Sequence, residues 1–360
     1  MKIFINGRFL TQAVTGVQRY AREVVKGLDG LLEEKKLKSD YEFIILTPRA
    51  EIDKIHLRNI AVRPIGFLKG HLWEQIELPL FVRQHALINL CNLGPAFKSN
   101  QLITVHDASV YLKGNHFSRL FRTWYKIIFR LELGFARRII TVSRFSRDEL
   151  IKYTHVRPEK LKVIYEGHEH ILRCKPDNRI LAKNKLLSRP YVLAVSSIDP
   201  RKNFENIIKA MEYLKGRKYD IVIAGGTNPR IFNVKDFLRN NDVKYLGYVS
   251  DEELRALYEH AFCFLYPSIY EGFGLPPVEA MALQCPVIVS DKASLPEICG
   301  RAAVYCDPYA PSDIADKVTI LFEDSKIREY CKTEGLKRAD AFSWVKCSQE
   351  LAEQIRYLDL

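Results

Sequence analysis

The chain lacks any long apolar run, and no window approaches the roughly 18 apolar residues that a transmembrane helix requires. The apolar stretch at residues 3–5 is followed at once by Asn6, Gly7 and Arg8. It is therefore shorter than the hydrophobic region of a signal peptide, which spans roughly 7–15 residues. We expect a cytoplasmic protein.

Motifs built from cysteine are also absent. The chain has 8 cysteines, none of which forms a C-x-x-C pair, and this argues against a disulfide framework or a zinc knuckle. Several lie in apolar runs such as residues 262–265, so we interpret them as small buried hydrophobic residues. With 18 glycines and 16 prolines scattered over the chain, low-complexity and fibrous classes are excluded as well.

What the chain does have is positive charge. Lys and Arg number 55 against 43 Asp and Glu, a formal net charge of +12 on 360 residues. This surplus favours a phosphate-bearing or otherwise anionic partner. A nucleic acid is one alternative, but the basic residues are dispersed and no helix-turn-helix, zinc-finger or RNP signature is present. We therefore do not expect nucleic-acid binding.

Strand-like and helix-like segments alternate along the chain, a pattern typical of an α/β protein with parallel sheets. Strands are predicted at residues 2–5, 43–46, 87–90, 102–105, 139–142 and 161–164, and again at 191–195, 221–224, 244–246, 263–266, 287–289 and 304–306. Helices are predicted at 17–28 and 117–131, and capping-box pairs predict helices that begin near Ser146 and Ser250.

A polar segment rich in Lys and Arg, between Gly167 and Pro190, interrupts this alternation. The chain is therefore predicted to form a Rossmann-like domain at 1–170, a linker at 171–190 and a second Rossmann-like domain at 191–340. A C-terminal helix at 341–360 is expected to pack back on the first domain. Ligands of such folds bind beyond the carboxyl ends of the strands, here in a central cleft that the two sheets would face.

The segment that carries most chemical information is residues 270–280, which follow a predicted strand. Gly272 and Gly274 allow a sharp bend, and Pro276 or Pro277 would supply the first helical residue. A glycine-bearing loop that leads into a helix is typical of an anion site, and the carboxylates of Glu271 and Glu279 suit sugar hydroxyl groups. The alternative is a plain connection in which Glu279 only complements the helix dipole.

Two cations, Arg201 and Lys202, follow the first strand of the second half and would face the same edge. They are suited to holding a diphosphate and to offsetting the charge that develops on it. The alternative is that both are solvated loop residues. In the first half, Gly16 precedes a helix, and His106 ends a strand. Each is a weak signal by itself, and a structural role for His106 is the alternative to a catalytic one.

Together these segments resemble the retaining nucleotide-sugar glycosyltransferases of family 4, which have the GT-B fold of two Rossmann-like domains. The resemblance covers nearly the entire chain and rests on TGVQRYARE (15–23), HLWEQIELP (71–79), TVHDAS (104–109), TVSRFSRDEL (141–150), IDPRKNFENIIKA (198–210), LGYVSDEEL (246–254), YPSIYEGFGLPPVEAMA (266–282) and VIVSDKASLPEICG (287–300). The spacing of two glutamates with seven residues between them is the hallmark of that family.

The resemblance implies a role for each candidate residue. Glu271 would contact the donor sugar, Glu279 the ribose, and Lys202 the phosphates. The diphosphate would be contacted by the loop residue Gly16 and by the backbone amides of Phe273, Gly274 and Leu275. The backbone at Tyr248 and Val249 would contact the base. His106 would lie near the reacting sugar. Many members carry a Gly-Arg pair where this chain has Ser196-Ser197, so Arg201 is the candidate for that arginine.

The resemblance also implies the reaction. We expect transfer of a hexose or deoxyhexose from a nucleotide diphosphate sugar to a glycan or lipid-linked glycan of bacterial polysaccharide or O-antigen assembly. GDP-mannose is the first candidate for the donor and dTDP-rhamnose the second. Configuration would be retained by front-face attack, without a covalent nucleophile. No cofactor is expected, and no metal, because no two aspartates form a D-x-D motif. A sugar-nucleotide epimerase on the same fold is the alternative.

The predicted helix at 117–131 carries apolar residues on one face and Arg and Lys on another. Such a helix can lie on anionic lipid, which would place the protein peripherally at the inner face of the plasma membrane. The alternative, which we favour, is an ordinary domain helix whose apolar face packs on the sheet.

Overall fold

The structure, a computed structural model, describes residues 1–112, 119–195, 199–214, 216, 219–225 and 243–358, and only the backbone of 119–122. It divides into two compact units. Unit 1 comprises Met1–Gly167 and Ser343–Leu360, and unit 2 comprises His168–Phe342. The C-terminal segment thus belongs to unit 1, as expected of a helix that packs back on the first domain.

Unit 1 is built on a parallel sheet of seven strands. The strands are β1 (Lys2–Asn6), β2 (Glu42–Pro48), β3 (Ala61–Ile65), β4 (Ala86–Asn89), β5 (Gln101–Val105), β6 (Arg138–Thr141) and β7 (Leu161–Val163). Their order across the sheet is β3-β2-β1-β4-β5-β6-β7. The helices are α1 (Gly16–Glu33), α2 (Gly70–Leu72), α3 (Leu78–Val82), α4 (Arg119–Phe135) and α5 (Arg144–Thr154), with a π-helical turn at Trp73–Glu77 and 3₁₀ turns at Arg8–Thr11, Ser109–Tyr111 and Pro158–Lys160.

Unit 2 is built on a parallel sheet of six strands. The strands are β8 (Tyr191–Val195), β9 (Asp220–Ala224), β10 (Val243–Gly247), β11 (Cys263–Tyr266), β12 (Val287–Ser290) and β13 (Ala303–Cys306). Their order is β10-β9-β8-β11-β12-β13. The helices are α6 (Glu169–Arg173), α7 (Arg179–Lys183), α8 (Phe204–Tyr213), α9 (Asp251–His260), α10 (Leu275–Ala282), α11 (Leu295–Cys299), α12 (Pro311–Glu323) and α13 (Ser325–Ala339), with 3₁₀ turns at Pro200–Lys202 and Gly300–Ala302. Further along the chain, α14 (Trp344–Ile355) and the 3₁₀ turn Arg356–Leu358 belong to unit 1.

Both sheets are of the predicted Rossmann-like type, and each predicted strand overlaps a strand of the structure. The strand that the sequence did not predict is β3, which pairs with β2 alone at the edge of its sheet. Its inner positions are largely exposed and it contains Pro64, so it shows neither an apolar run nor a strict alternation. Proline is tolerated in an edge strand because no further strand needs its missing N–H.

Three local predictions can be compared with the structure. Residues 171–190 are not a free linker, because they contain α7 and part of α6, and unit 2 begins at His168. The helix predicted to begin near Ser146 begins at Arg144, since the Ser143 side chain is the cap and accepts from the Ser146 N–H. By contrast, the Ser250–Glu253 capping box at the start of α9 is confirmed.

One face of helix α4 packs on the core of unit 1, while Trp124 and Ile127 on the helix remain exposed. The predicted start at residue 117 and the side chains of residues 119–122 lie outside the described part of the chain. Phe129 and Leu133 are each 1% exposed in the core beneath the helix, and Lys126 and Arg130 lie over the ring of Tyr111. Among the described residues, no helix has the length and apolar character that a membrane span needs.

All eight cysteines are free thiols, and six of them are buried. Burial raises the pKa of the Cys263 and Cys285 thiols well above the ordinary value, so these groups remain neutral. The interpretation of such residues as small buried hydrophobic side chains is confirmed for them.

The contact between α1 and α14 generates a stability prediction. A methyl group placed on Gly27 of α1 would overlap the hydroxyl group of Ser348 on α14. Gly27→Ala is therefore expected to destabilise unit 1 by about 1–3 kcal/mol through overpacking. Urea unfolding followed by circular dichroism measures this change.

Gly30→Ala is the matched control, because nothing lies within 4 Å of a methyl group on Gly30 in the same helix. This variant is expected to stabilise the helix by up to about 1 kcal/mol, the ordinary gain of alanine over glycine. Equal effects of the two substitutions would contradict the close approach of α14 to Gly27.

Candidate active site

The strand order of unit 2 creates a crevice at one sheet edge. Strand β8 lies between β9 and β11, so the chain leaves the carboxyl ends of β8 and β11 toward opposite sides of the sheet. Such a switch point is where open α/β sheets bind ligands. Lys202 lies on the turn that follows β8, and Glu271 lies in the loop that follows β11.

These two predicted residues meet in a hydrogen-bonded cluster. Lys202 Nζ lies 2.7 Å from Glu271 Oε1 and donates to the Tyr266 hydroxyl at 2.6 Å. Glu271 Oε1 also accepts from the Tyr266 hydroxyl at 2.9 Å and from the Ser268 hydroxyl. Burial, and then the Glu271 carboxylate, raise the pKa of the Tyr266 hydroxyl well above its ordinary value, so this phenol stays a donor.

The cluster leaves specific hydrogen-bonding capacity for a ligand. An ammonium group has three donors, and two of those on Lys202 are engaged by Tyr266 and Glu271. Within the described ranges, no donor reaches the second carboxylate oxygen of Glu271, Oε2. One N–H of Lys202 and one oxygen of Glu271 are thus suited to a phosphate oxygen and a sugar hydroxyl, respectively.

The turn that carries Lys202 is held in place by its own neighbours. Asn203 ends the turn in the left-handed region, with φ of 59°. Its side-chain amide donates to the carbonyl oxygens of Pro267, at 3.0 Å, and Pro308, at 2.6 Å. Asparagine tolerates this backbone conformation, and its side chain ties the end of the turn to the loop after β11.

Arg201 is placed differently from Lys202. Its guanidinium group makes a bidentate ion pair with Asp199, and hydrogen bonds from Arg201 lower the pKa of the Asp199 carboxyl against the effect of burial. The positive charge of Arg201 is therefore largely balanced within the protein. Ser196 and Ser197, where a family arginine would be expected, lie outside the described residues.

The loop from Glu271 to α10 has the bend that its glycines predict. Gly274 caps α10 with φ of 101°, and a Cβ there would lie 2.8 Å from Leu295 Cδ2, so only glycine fits. The hydroxyl of buried Ser294 donates to the carbonyl oxygens of Glu271, at 3.1 Å, and Phe273, at 2.9 Å. The peptide groups of the loop are thus oriented by a serine that sequence reasoning did not single out.

The first residue of α10 is Leu275, so the prediction that a proline occupies this position is wrong. Pro276 and Pro277 follow it. Because proline has no N–H, the amide donors at this helix end come from the residues up to Leu275. The role that the resemblance implies for the amides of Phe273, Gly274 and Leu275 stays a prediction.

Glu279, on the second turn of α10, is buried, with 6% of its surface exposed. His170 Nε2 lies 2.8 Å from its Oε1, and the Tyr258 hydroxyl donates to its Oε2 at 3.3 Å. These two contacts orient the Glu279 carboxylate. His170 lies at the end of the predicted first domain, in the polar segment that interrupts the strand–helix alternation, and carried no signal of this contact.

Tyr248 and Val249 lie between the end of β10 and the cap of α9, at the carboxyl edge of the same sheet. Gly247 precedes them with φ of 71°. The Tyr248 side chain is 79% exposed and Val249 is half-buried. The sheet therefore carries Tyr248 and Val249 at the same edge as Lys202 and Glu271.

His106 follows β5 in unit 1 and is 6% exposed. Its Nε2 lies 3.0 Å from the Leu90 carbonyl oxygen, and its Nδ1 lies 3.3 Å from Glu166 Oε1. A carbonyl only accepts, so Nε2 carries a proton. With a partner on each ring nitrogen, His106 has the geometry of a well-anchored residue, and Glu166 is a partner that the sequence did not reveal.

Gly16 is the first residue of α1 and is exposed, and a Cβ at this position would meet nothing within 4 Å. The switch point of unit 1, where β1 and β4 end, holds a further polar group that the sequence did not predict. Buried Glu74 accepts from the Asn6 side chain at 2.8 Å and from Arg8 Nε at 3.1 Å, and His71 Nδ1 lies 3.3 Å away.

Within the described ranges, no three His, Cys, Asp or Glu side chains group as metal ligands would. The polar groups described at the carboxyl edges of the two sheets include amides, hydroxyls, carboxylates, imidazoles, guanidinium groups and the Lys202 ammonium group. This mixture of donors and acceptors suits sugar hydroxyls and phosphate oxygens.

Comparison with known proteins assigns the chain. The family model "Glycosyltransferase Family 4" matches residues 14–170, and the model "Glycosyl transferases group 1" matches residues 177–338. O-antigen chain mannosyltransferase B of Escherichia coli is 28% identical, over 99% of this chain and 100% of that protein. O-antigen chain mannosyltransferase RfbU of Salmonella typhimurium is 32% identical, over 69% of this chain and 68% of that protein.

Among solved structures, Anabaena Alr3699/HepE in complex with UDP and glucose matches with a TM-score of 0.75 at 19% identity, covering 99% of each chain. This likeness supports the GT-B fold of two Rossmann-like domains. The two family models both describe glycosyl transfer, which favours that reaction over an epimerase or a nucleic-acid-binding protein. The chain belongs to the family 4 glycosyltransferases, among the glycosyl transferases of group 1.

Proposed function

We propose that this glycosyltransferase moves a mannosyl group from GDP-mannose to a glycan or lipid-linked glycan acceptor in O-antigen assembly. The observation that carries the proposal is the cluster of Lys202, Tyr266 and Glu271 at the switch point of unit 2. The relatives named as O-antigen mannosyltransferases support the choice of sugar and pathway. dTDP-rhamnose is the second donor to be tested.

In this proposal the donor lies along the carboxyl edge of unit 2. The free donor of Lys202 and the amides of Phe273, Gly274 and Leu275 hold the diphosphate, and Glu279 holds the ribose hydroxyls. Glu271 Oε2 accepts from a sugar hydroxyl. Tyr248 and Val249 meet the base through backbone groups.

The reaction is proposed to retain the anomeric configuration and to need no divalent metal. No side chain is assigned as a covalent nucleophile, so the acceptor hydroxyl attacks the face from which the diphosphate departs, and the departing phosphate takes its proton. Lys202 and the start of α10 offset the charge that develops on the diphosphate, with Arg201 contributing less because Asp199 balances it. His106 orients the reacting sugar.

We further propose a cytoplasmic enzyme with peripheral contact to the inner face of the plasma membrane, where a lipid-linked acceptor would be presented. The surplus of positive charge, +12 over the chain, supports contact with an anionic surface. Helix α4 buries Phe129 and Leu133 in the core of unit 1 but leaves Trp124 and Ile127 exposed, so its outer face stays a candidate for that contact.

Lys202→Ala tests the charge-offsetting role. Removal of a fixed donor at a developing negative charge costs about 10²–10³ in kcat, so a loss of at least about a hundredfold is expected. Arg201→Ala is the matched control and is expected to cost less. Steady-state rates with GDP-mannose measure both, and a larger loss for Arg201→Ala would reverse the two roles.

Glu279→Ala tests the donor site. In a thermal-shift panel GDP-mannose is expected to raise the unfolding temperature, because a bound ligand stabilises the native state. Calorimetry should show that Glu279→Ala weakens GDP-mannose binding by about 1.5–3 kcal/mol, the range for hydrogen bonds to charged groups.

Tyr258→Phe is the control for this variant, since it removes a donor to Glu279 and keeps the carboxylate. Unchanged GDP-mannose affinity in Glu279→Ala would favour the helix-dipole interpretation instead. A shift with dTDP-rhamnose and none with GDP-mannose would change the donor and leave the fold assignment intact.

The reaction course is tested in excess EDTA with GDP-mannose and an O-antigen acceptor. Turnover is expected to persist, and NMR of the product should show the anomeric configuration of the donor. Activity lost on chelation and restored by Mg²⁺ or Mn²⁺ would contradict metal independence. An inverted product would contradict front-face attack.

A further inference from the structure

The shortest contact that the structure gives the Glu279 carboxylate comes from a residue that no motif marks. His170 Nε2 lies 2.8 Å from Glu279 Oε1, across 109 positions of sequence. The two residues are 4% and 6% exposed, and a hydrogen bond in such surroundings is electrostatically stronger than in water. A carboxylate only accepts, so Nε2 of His170 carries a proton and donates it to this bond when Glu279 is ionised.

The other oxygen of Glu279 is contacted from a set of packed aromatic rings. The Tyr258 hydroxyl donates to Oε2 at 3.3 Å. Burial, and then the Glu279 carboxylate, raise the pKa of this hydroxyl well above its ordinary value, so it stays a donor. The Tyr258 ring packs edge-on against Phe264, with ring centres 5.2 Å apart, and Phe264 stacks on Tyr266 at 5.6 Å. Because 3.3 Å is long for a hydrogen bond from a hydroxyl, the contact from His170 is the stronger restraint on the carboxylate.

Helix α6, which carries His170, is itself held by α9. Arg255 of α9 donates at 2.6 Å to the carbonyl oxygens of both Leu172 and Cys174, at the end of α6, and the two helices pack against each other. Helix α9 also carries Tyr258. The two donors to Glu279 therefore come from helices that are tied together, and their positions relative to each other are fixed.

A fixed carboxylate matters for binding because a glutamate side chain is flexible. It loses rotamer freedom when a ligand orders it, and this loss lowers affinity. A carboxylate that the protein already holds in the binding orientation avoids the loss, which is the general benefit of preorganisation. A donor that orients Glu279 can therefore raise the affinity for a ligand that the donor itself does not touch.

We propose that His170 is a positioning residue for nucleotide recognition, which holds the Glu279 carboxylate in the orientation that accepts from the ribose hydroxyls. This role rests on the proposed function, in which Glu279 contacts the ribose of GDP-mannose. It predicts that loss of His170 weakens recognition of the ribose hydroxyls and leaves the contacts to the diphosphate and the base unchanged.

The experiment is calorimetry of the full chain with two probes, GDP and 2′,3′-dideoxy-GDP, which differ only in the ribose hydroxyls. Side chains in contact couple by roughly 2- to 150-fold in an equilibrium constant. His170→Ala is therefore expected to weaken GDP binding by at least about threefold and dideoxy-GDP binding by less than about twofold. His170→Gln is expected to restore GDP binding to within about twofold of the unmodified chain, because an amide N–H can replace the Nε2 donor.

His168→Ala is the matched control. It removes a second buried imidazole of the same segment, whose Nδ1 lies 2.8 Å from the Phe342 carbonyl oxygen. This variant is expected to change the affinities for GDP and dideoxy-GDP by the same factor. In a chain that already carries Glu279→Ala, His170→Ala is expected to change GDP affinity by less than about twofold, since the group through which it acts is gone.

Equal losses for GDP and dideoxy-GDP in His170→Ala would overturn the proposal, because His170 would then have a structural role alone. So would unchanged GDP affinity in His170→Ala beside a loss in Glu279→Ala, which would leave the ribose contact of Glu279 intact. Unchanged GDP affinity in Glu279→Ala would instead overturn that ribose contact and the role of His170 with it. If His170→Ala fails to fold, the ratio of the two affinities in His170→Leu, which fills the space without a donor, decides in the same way.

Discussion

Parallel pairing between β8 and β11 is the constraint on which the candidate site depends. These strands are neighbours in the sheet although β9 and β10 lie between them in the chain. Their carboxyl ends therefore meet at one edge while their connections diverge, which opens a crevice there. The contact between Lys202 and Glu271 across 69 positions of sequence exists because of this pairing. The same strand reversal in unit 1 brings Asn6 to Asn89 and Glu74.

Burial determines which charged groups of the candidate site need partners within the protein. A buried charge is costly unless it is paired and hydrogen-bonded, and each candidate carboxylate of the site has partners that offset this cost. Glu279 lies between His170 and Tyr258, while Glu271 receives Lys202, Tyr266 and Ser268 on one oxygen. Among the described residues, no donor reaches the second oxygen of Glu271. In the proposed function this carboxylate accepts from a sugar hydroxyl without reorganisation, which is how preorganised sites act.

Much of the local structure was predictable because it depends on neighbours in sequence. Apolar runs of four or five residues identify the central strands, which are covered on both faces by helices. Ser250 with Glu253 identifies the start of α9 for a similar reason, since a capping box is complete within four residues. Where two serines near each other could both cap a helix, the predicted start was wrong by a few residues. Ser143 caps α5, three positions before the predicted Ser146. Edge strand β3, exposed and interrupted by Pro64, carries no such signal.

The sequence by itself determined the family, the two α/β units and the candidate residues Lys202, Glu271 and Glu279. Each of these features is identified by motifs whose residues lie close together in the chain. Only the tertiary structure decided which side chains surround them. His170 and Tyr258 at Glu279, and Ser294 at the Glu271 carbonyl, come from distant segments, as does Glu166 beside His106. Arg201 is balanced by Asp199 through a turn geometry that composition does not reveal. The periodicity of apolar residues within a helix or strand shows which of its faces is buried. Contacts between side chains that are distant in sequence depend instead on the order of the strands in the sheet.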